Sequence, residues 1–210
     1  MGTIVLASRS LRRKQLLIEA GFDVAVHAPD VDDGLLRKPL HVQPRQWVQA
    51  LAWMKAQSVW RTLRASQPGA DILVLAADTI CVLSDGSTIL GQPQNAHAAR
   101  AMIVAMSGDS HVTMTGVCML ANRAQALFTE EAAVEIGPLA SSDIEDYISS
   151  NNWQGKAGGY NLTERQEAGW PIAVRSGDPL TVVGLPMQRL QPLLAKALRQ
   201  SVDECNPERL

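Results

Sequence analysis

Thr3-Ile4-Val5-Leu6-Ala7-Ser8-Arg9-Ser10-Leu11-Arg12-Arg13 is the stretch from which the fold can be read. Its β-branched and aliphatic start predicts a short buried strand. The apolar run breaks at Ser8. Ser10 then has the chemistry of a helix N-cap, and Leu11, Gln15, Leu16 and Ala20 suit a helix packed back on the strand. Ser8, Arg9, Ser10, Arg12 and Arg13 therefore gather where a strand hands over to a helix. Such a place offers unpaired backbone N–H groups and a partial positive charge. Two hydroxyls and up to three guanidinium groups add to it, and a phosphate chain is the natural guest. The alternative is a capped amphipathic helix whose arginines are merely solvated.

Composition bounds the function. The chain has 210 residues, 46% of them hydrophobic, which suits one large domain or two closely joined lobes. Its net charge of −2 gives no global basic field for nucleic acid, so any anion must be held by local clusters. No run approaches a transmembrane length, and the polar residues from Ser8 onward leave no signal-peptide pattern. Cys81, Cys118 and Cys205 are odd in number and far apart, with neither zinc spacing nor a disulfide framework. A reducing cytoplasm is the expected home.

Further along, Asp30, Asp32 and Asp33 crowd one turn. This is either a solvated acidic turn or part of a hard-cation site. A long helix is predicted over 45–64, with Val48, Ala52, Val59 and Leu63 on one stripe. Lys55 falls on that same stripe, so it must snorkel or meet a phosphate or carboxylate. Residues 72–77 read as a fully buried strand ending at Asp78-Thr79, with a β-hairpin following over 80–90. A carboxylate at a strand end stands where α/β sheets place ligands, although a turn aspartate would look the same. A helix over 96–106 and an antiparallel pair over 111–120 and 124–136 come next. The alternation puts His111, Thr113 and Thr115 on one side, with His111 in a hydrogen-bonded structural role. Ser142-x-x-Glu145 has the form of a capping box. Residues 151–159 form a glycine-rich loop carrying Lys156, which lacks the Walker spacing. Short strands at 172–175 and 181–183, a last helix to about 199 and a polar tail over 201–210 complete the reading. One domain spans 1–200.

Six segments, in order and over nearly the whole chain, resemble the Maf family of nucleoside triphosphate pyrophosphatases. They are Leu6-Ala7-Ser8-x-Ser10-x-Arg12-Arg13, Leu51-Ala52-x-x-Lys55-Ala56, Ala77-Asp78-Thr79, Ser107-Gly108-x-x-His111, Lys156-Ala157-Gly158-Gly159-Tyr160 and Val183-Gly184-Leu185-Pro186. The resemblance implies an α/β fold with a mixed twisted sheet and two lobes flanking a deep cleft. It implies hydrolysis of a nucleoside triphosphate to monophosphate and pyrophosphate, with a divalent cation (Mg²⁺ or Mn²⁺). Ser8, Arg12, Arg13, Lys55 and Lys156 would hold the phosphates, Asp78 would be the general base, and Asp33 would join Asp78 at the metal. A homodimer is implied as well.

The chain departs from the family pattern in places. Leu11 replaces a proline, and Gln92 replaces a lysine of the loop before Pro93. A family glutamine beyond the Lys-Ala-Gly segment is replaced by Thr163, with Glu164 beside it. Arg12 and Thr79 match members that prefer dTTP and UTP, so pyrimidine preference is the expectation, with Thr163 or Glu164 at the third discriminating position. A 7-methyl-GTP pyrophosphatase and a nucleotide-binding regulator of cell division with little turnover are the competing readings.

Overall fold

The computed structural model describes residues 3–31, 36, 38–122 and 124–203. One mixed seven-stranded sheet runs through it in the order β2-β1-β3-β5-β6-β7, with β4 attached to β3. The opening stretch behaves as its sequence predicts. Ile4–Leu6 forms β1, and Leu11–Glu19 forms α1 behind the Ser10 cap. β1 is paired in parallel with β2 (Val24–Val26) and with the start of β3 (Leu73–Leu83), Ile4 lying opposite Leu73 and Leu6 opposite Leu75. On its other side β3 is antiparallel to β5 (Asp109–Ala121) over its whole length. β6 (Gln125–Ile136) and β7 (Ile172–Ser176) extend the sheet antiparallel.

The edge of β3 decides where the site lies. β1 stops at Leu6, and β4 (Ile89–Leu90) begins only opposite Val82 and Cys81. Among the described residues, no strand pairs with residues 76–80 of β3 on that side, and the sheet has a gap there.

The apolar core is interrupted at the same place on both faces. On one face Leu73, Leu75 and Ala77 join a cluster with Leu17, Leu185, Leu190 and Leu194. Cys81 joins a second cluster with Ile103, Met106, Tyr160 and Trp170. Thr79 lies between them by strand alternation. On the other face α2 (Pro44–Ser66) spans roughly 34 Å at 1.5 Å per residue. It covers Val74 and Ala76 with its Ala52, Ala56 and Val59, and Ile80 and Val82 with its Val48. Asp78 lies between those two groups. α2 comes close because Gly116 of β5 has no side chain: a Cβ there would stand 2.4 Å from the Val48 carbonyl oxygen.

The remaining helices are α3 (Ala96–Met106), α4 (Ser141–Ser149), α5 (Leu162–Glu167), α6 (Pro179–Val183) and α7 (Met187–Asp203). Four expectations need correction. Asp78 stands in mid-strand, because β3 continues along β5 after β1 has ended. The strand expected at 181–183 is α6, capped by the Asp178 side chain on Leu180 N at 2.9 Å and ended by left-handed Gly184. α4 starts one residue before Ser142, with Ala140 at its N-cap and no side-chain cap; Glu145 pairs with Arg100 instead, at 2.5 Å. α7 continues through 203, into the stretch expected to be tail. Asp33, the expected second metal ligand, lies outside the described residues, as do Asp32 and 204–210.

Candidate active site

The gap beside β3 is bordered by the turn from β1 to α1. Ser8 accepts from the Ser10 N–H at 3.0 Å, and the Ser10 hydroxyl accepts from Arg13 N at 3.4 Å. Both hydroxyls therefore help shape a turn whose remaining N–H groups point out of the first turn of α1.

Lys55 of α2 meets Asp78 across the gap in a hydrogen-bonded ion pair. Lys55 is 9% exposed and Asp78 7%. Removing two charges from water costs several kcal/mol each, offset only when the charges pair and hydrogen-bond. Of the two readings open for the lysine on the inward stripe, snorkelling or a negative partner, the structure has the carboxylate partner.

The other face of β3 is built from neutral hydroxyls and one guanidinium. Arg13 donates from Nε to the Gly184 carbonyl at 2.9 Å and from Nη1 to the Ala77 carbonyl at 2.7 Å. From Nη2 it donates to the Thr79 hydroxyl at 3.0 Å. One arginine thereby covers an open carbonyl of the strand edge and ties α1 to the end of α6. Gly184, at φ 117°, has to be small: a Cβ would stand 3.1 Å from Arg13 Nε and 3.4 Å from the Thr79 hydroxyl. Thr79 also meets Thr115 of β5 at 2.9 Å, and Thr115 donates to the Thr181 carbonyl at 2.7 Å.

The third wall is the glycine-rich loop. Arg12 donates to the Gly155 carbonyl at 3.1 Å. Lys156 is 7% exposed and forms an ion pair with Glu164. Burial pushes the Lys156 ammonium below its ordinary pKa, and Arg12 and Arg165 push the same way against Glu164. At the ambiguous position Glu164 is the side chain tied to the loop lysine, and it is half-buried, whereas Thr163 is exposed. Gly158 N donates to Gly91 O at 2.9 Å, joining this loop to the one that carries Gln92. Behind it, Tyr160 meets buried His111 Nε2 at 2.8 Å. Burial holds the imidazole pKa down at about 4, so it is neutral at pH 7, as its structural reading implies.

Three hollows that share lining residues follow the gap. One of about 480 Å³ is bounded by Trp47, Leu51, Asp78, Ile80, Ile89 and Gln92. One of about 210 Å³ is bounded by Ser8, Arg9, Ser10, Arg13, Lys55 and Gln92. A recess of about 50 Å³ lies among Arg12, Arg13, Asp78, Thr79, Tyr160 and Asn161. Gln92 borders all three. Ser8, Arg12, Arg13, Lys55, Asp78 and Thr79 are thus brought to one cleft, and Gly155 and Ala157 bring the Lys156 loop to its rim. Sequence reasoning gave no site role to Thr115, Tyr160, Asn161 or Trp47. The Thr113–Thr115 alternation was readable, but not which cavity its side would face.

A divalent cation fits this donor set in one way. Among the described residues no three His, Cys, Asp or Glu side chains cluster as a metal cage. Asp78 is the single buried carboxylate of the cleft among the described residues. Mg²⁺ commonly takes one or two carboxylates and completes its shell with water and substrate phosphates, so Asp78 with a polyphosphate meets its needs.

Residues 3–197 match the model of the family described as Maf-like protein. A dTTP/UTP pyrophosphatase of Symbiobacterium thermophilum is 36% identical over 93% of this chain and 94% of its own length. One from a Geobacillus species is 36% identical over 90% of this chain and 95% of its own. One from Moorella thermoacetica is 34% identical over 93% and 95%. Among solved structures, a Staphylococcus aureus Ham1 protein is a distant likeness, with TM-score 0.41 and 15% identity over 64% of this chain and 72% of that one. With a family match over nearly its full length and relatives 34–36% identical across it, the chain belongs to the Maf-like protein family.

Proposed function

We propose that this protein hydrolyses nucleoside triphosphates to the monophosphate and pyrophosphate, preferring dTTP and UTP. The observation that carries the reading is the buried Lys55–Asp78 pair in the gap of the sheet, beside the serine turn at the start of α1. The triphosphate lies along Ser8, Ser10, Arg13 and Lys55, with Arg12 and Lys156 at the rim. Phosphoryl transfer needs positioning and charge neutralisation more than covalent chemistry. The Lys55 ammonium, paired with Asp78 beside the phosphate path, adds positive charge that offsets the phosphate oxygens. Asp78 accepts the proton of the attacking water as its oxygen bonds to the α-phosphorus. The bond from that phosphorus to the bridging oxygen breaks, and pyrophosphate leaves with the electron pair. Asp78, with Asp33 as the proposed second carboxylate, would hold a divalent cation, which when bound would supply Lewis-acid stabilisation of the phosphate oxygens.

Arg12, Thr79 and Glu164 border or flank the recess where the base is read. A nucleotide-clearing role in the cytoplasm, as a homodimer, accords with family membership. No described helix is long and apolar enough to cross a membrane. The test is product analysis over a triphosphate panel with Mg²⁺ or Mn²⁺. Equimolar pyrophosphate and monophosphate, with UTP and dTTP best, is the expected result. Orthophosphate release, or a tenfold advantage for 7-methyl-GTP, overturns the reading.

A further inference from the structure

The proton count around Thr79 fixes what that side chain can say to a ligand. The Thr181 carbonyl can only accept, so the Thr115 proton is committed to it at 2.7 Å. In the 2.9 Å contact between the two hydroxyls, Thr79 must then be the donor. Arg13 Nη2 donates to the same Thr79 oxygen at 3.0 Å. The proton and one lone pair of Thr79 are therefore engaged, and the recess meets only its second lone pair. Thr115 is completely buried, so water cannot reverse this polarity.

The recess also holds donors. Arg12 gives one guanidinium nitrogen to Gly155 O and retains other N–H groups. Asn161 uses its Oδ1 to accept from Glu164 N at 3.2 Å as the N-cap of α5. That assignment leaves the Nδ2 amide as its remaining donor. Arg12, Thr79 and Asn161 border the same recess, so it combines donors from two sides with one acceptor that cannot turn into a donor.

We infer that Thr115 is a positioning residue for specificity: by holding Thr79 as an acceptor it sets the polarity of the recess, so that Thr79 takes the central N–H of an imide edge, the carbonyl, N–H, carbonyl row of uracil and thymine, and opposes the unprotonated ring nitrogen of cytosine. The inference rests on the pyrophosphatase reading and deepens it. Cytosine shares one carbonyl with uracil but carries an unprotonated ring nitrogen at the central position and an amino donor at the next. Against this recess it sets lone pair against lone pair and donor against donor. Unpaired or opposed polar groups in a site give stronger rejection than a missing apolar contact.

The experiment compares kcat/KM for UTP, CTP and N3-methyl-UTP in the wild type and in Thr115→Val and Thr115→Ser. Wild type should favour UTP over CTP by about tenfold or more, and N3-methyl-UTP should fall by at least as much. Thr115→Val releases the Thr79 proton, which can then be donated to cytosine, so the UTP/CTP ratio should shrink about tenfold. Thr115→Ser restores the ratio. A ratio unchanged in Thr115→Val overturns the inference, because a structural role alone lowers both substrates together. N3-methyl-UTP turned over as well as UTP by the wild type also overturns it, and this arm needs no variant to fold. Failure to release pyrophosphate from any triphosphate strikes instead at the pyrophosphatase reading.

Discussion

The two faces of β3 at the gap are built on opposite electrostatic plans. On the α2 face a full ion pair, Lys55 and Asp78, is buried. On the other face a chain of neutral hydroxyls, Thr79 and Thr115, runs to a carbonyl, and the charge that joins it is Arg13, which donates to the Gly184 and Ala77 carbonyls and to Thr79. Adjacent residues of one strand point to opposite faces, so Asp78 and Thr79 present chemistry and recognition one residue apart. A buried charge pair stores a large electrostatic interaction that an incoming phosphate can redistribute. A hydroxyl chain stores little energy but has a direction, which is what reading a base requires.

Asp78→Asn tests the charged face hardest. It keeps the shape and a hydrogen-bonding oxygen but removes the proton acceptor. We expect kcat to fall roughly 10²–10⁴-fold, as for loss of a general base, with nucleotide affinity changed far less. Single-turnover kinetics and equilibrium binding on the same sample separate the two. Turnover near that of the wild type removes Asp78 from the base role and leaves the ion pair as structure only.

The comparison sharpens when one member of each face is deleted. Lys55→Met leaves the Asp78 carboxylate buried without its ammonium, and breaking such a pair costs about 3–5 kcal/mol. Thr79→Val removes a neutral hydrogen-bonding group, with a cost of about 1 kcal/mol. Urea unfolding at pH 7 should show that gap. Kinetics should show Lys55→Met losing turnover on every triphosphate and Thr79→Val losing discrimination among bases. Equal stability losses would mean that the two faces do not differ as described.

A pH experiment probes the neutral face alone. His111, on the same side of β5 as Thr113 and Thr115, is held to a pKa of about 4 by burial. An unfolded histidine titrates near 6.5. Between those values the unfolded chain binds a proton that the folded chain refuses, so stability is full above about pH 6.5 and drains as pH falls toward 4. The slope is up to about 1.4 kcal/mol per pH unit. His111→Gln should flatten this part of the acid limb in urea titrations at pH 7, 6 and 5. An unchanged slope would place the titrating group elsewhere.

The contrast between the faces was only half legible in the sequence. Lys55 on an apolar stripe left two readings, a snorkelling side chain or one aimed at a phosphate or carboxylate, and periodicity alone does not choose between them. Asp78-Thr79 announced a break in an apolar run, and the break was read as the end of a strand. The polar pair instead marks where a neighbouring strand stops while β3 itself goes on. Strand pairing is non-local, and no residue of β3 records the length of β1. For the same reason the Thr79–Thr115–Thr181 chain was invisible, since its members come from three elements. Thr181 was expected in a strand because β-branched neighbours outweighed the local signal of Asp178-Pro179, a capping aspartate before a proline at the first helical position.

Gln92 offers the smallest and most delicate test, because it borders the hollows that meet both faces. It is exposed, and its main tie is a weak contact from the Gln94 side chain to its carbonyl at 3.5 Å. A lysine here should be tolerated without strain. Gln92→Lys adds a mobile cation at the mouth of the phosphate hollow, where Arg9, Arg13 and Lys55 already stand. Part of the added attraction is screened by solvent, so the gain should be a few-fold in kcat/KM, on the order of 0.5–1 kcal/mol, and it should shrink at high salt. If the cation acts on the charged face, the gain is the same for UTP and CTP, because all triphosphates share their phosphates. If it acts on the neutral face, the UTP/CTP ratio moves instead. A salt-independent change, or a fall in rate, would show that this loop turns away from the phosphates and that the cations of α1 and α2 suffice without it.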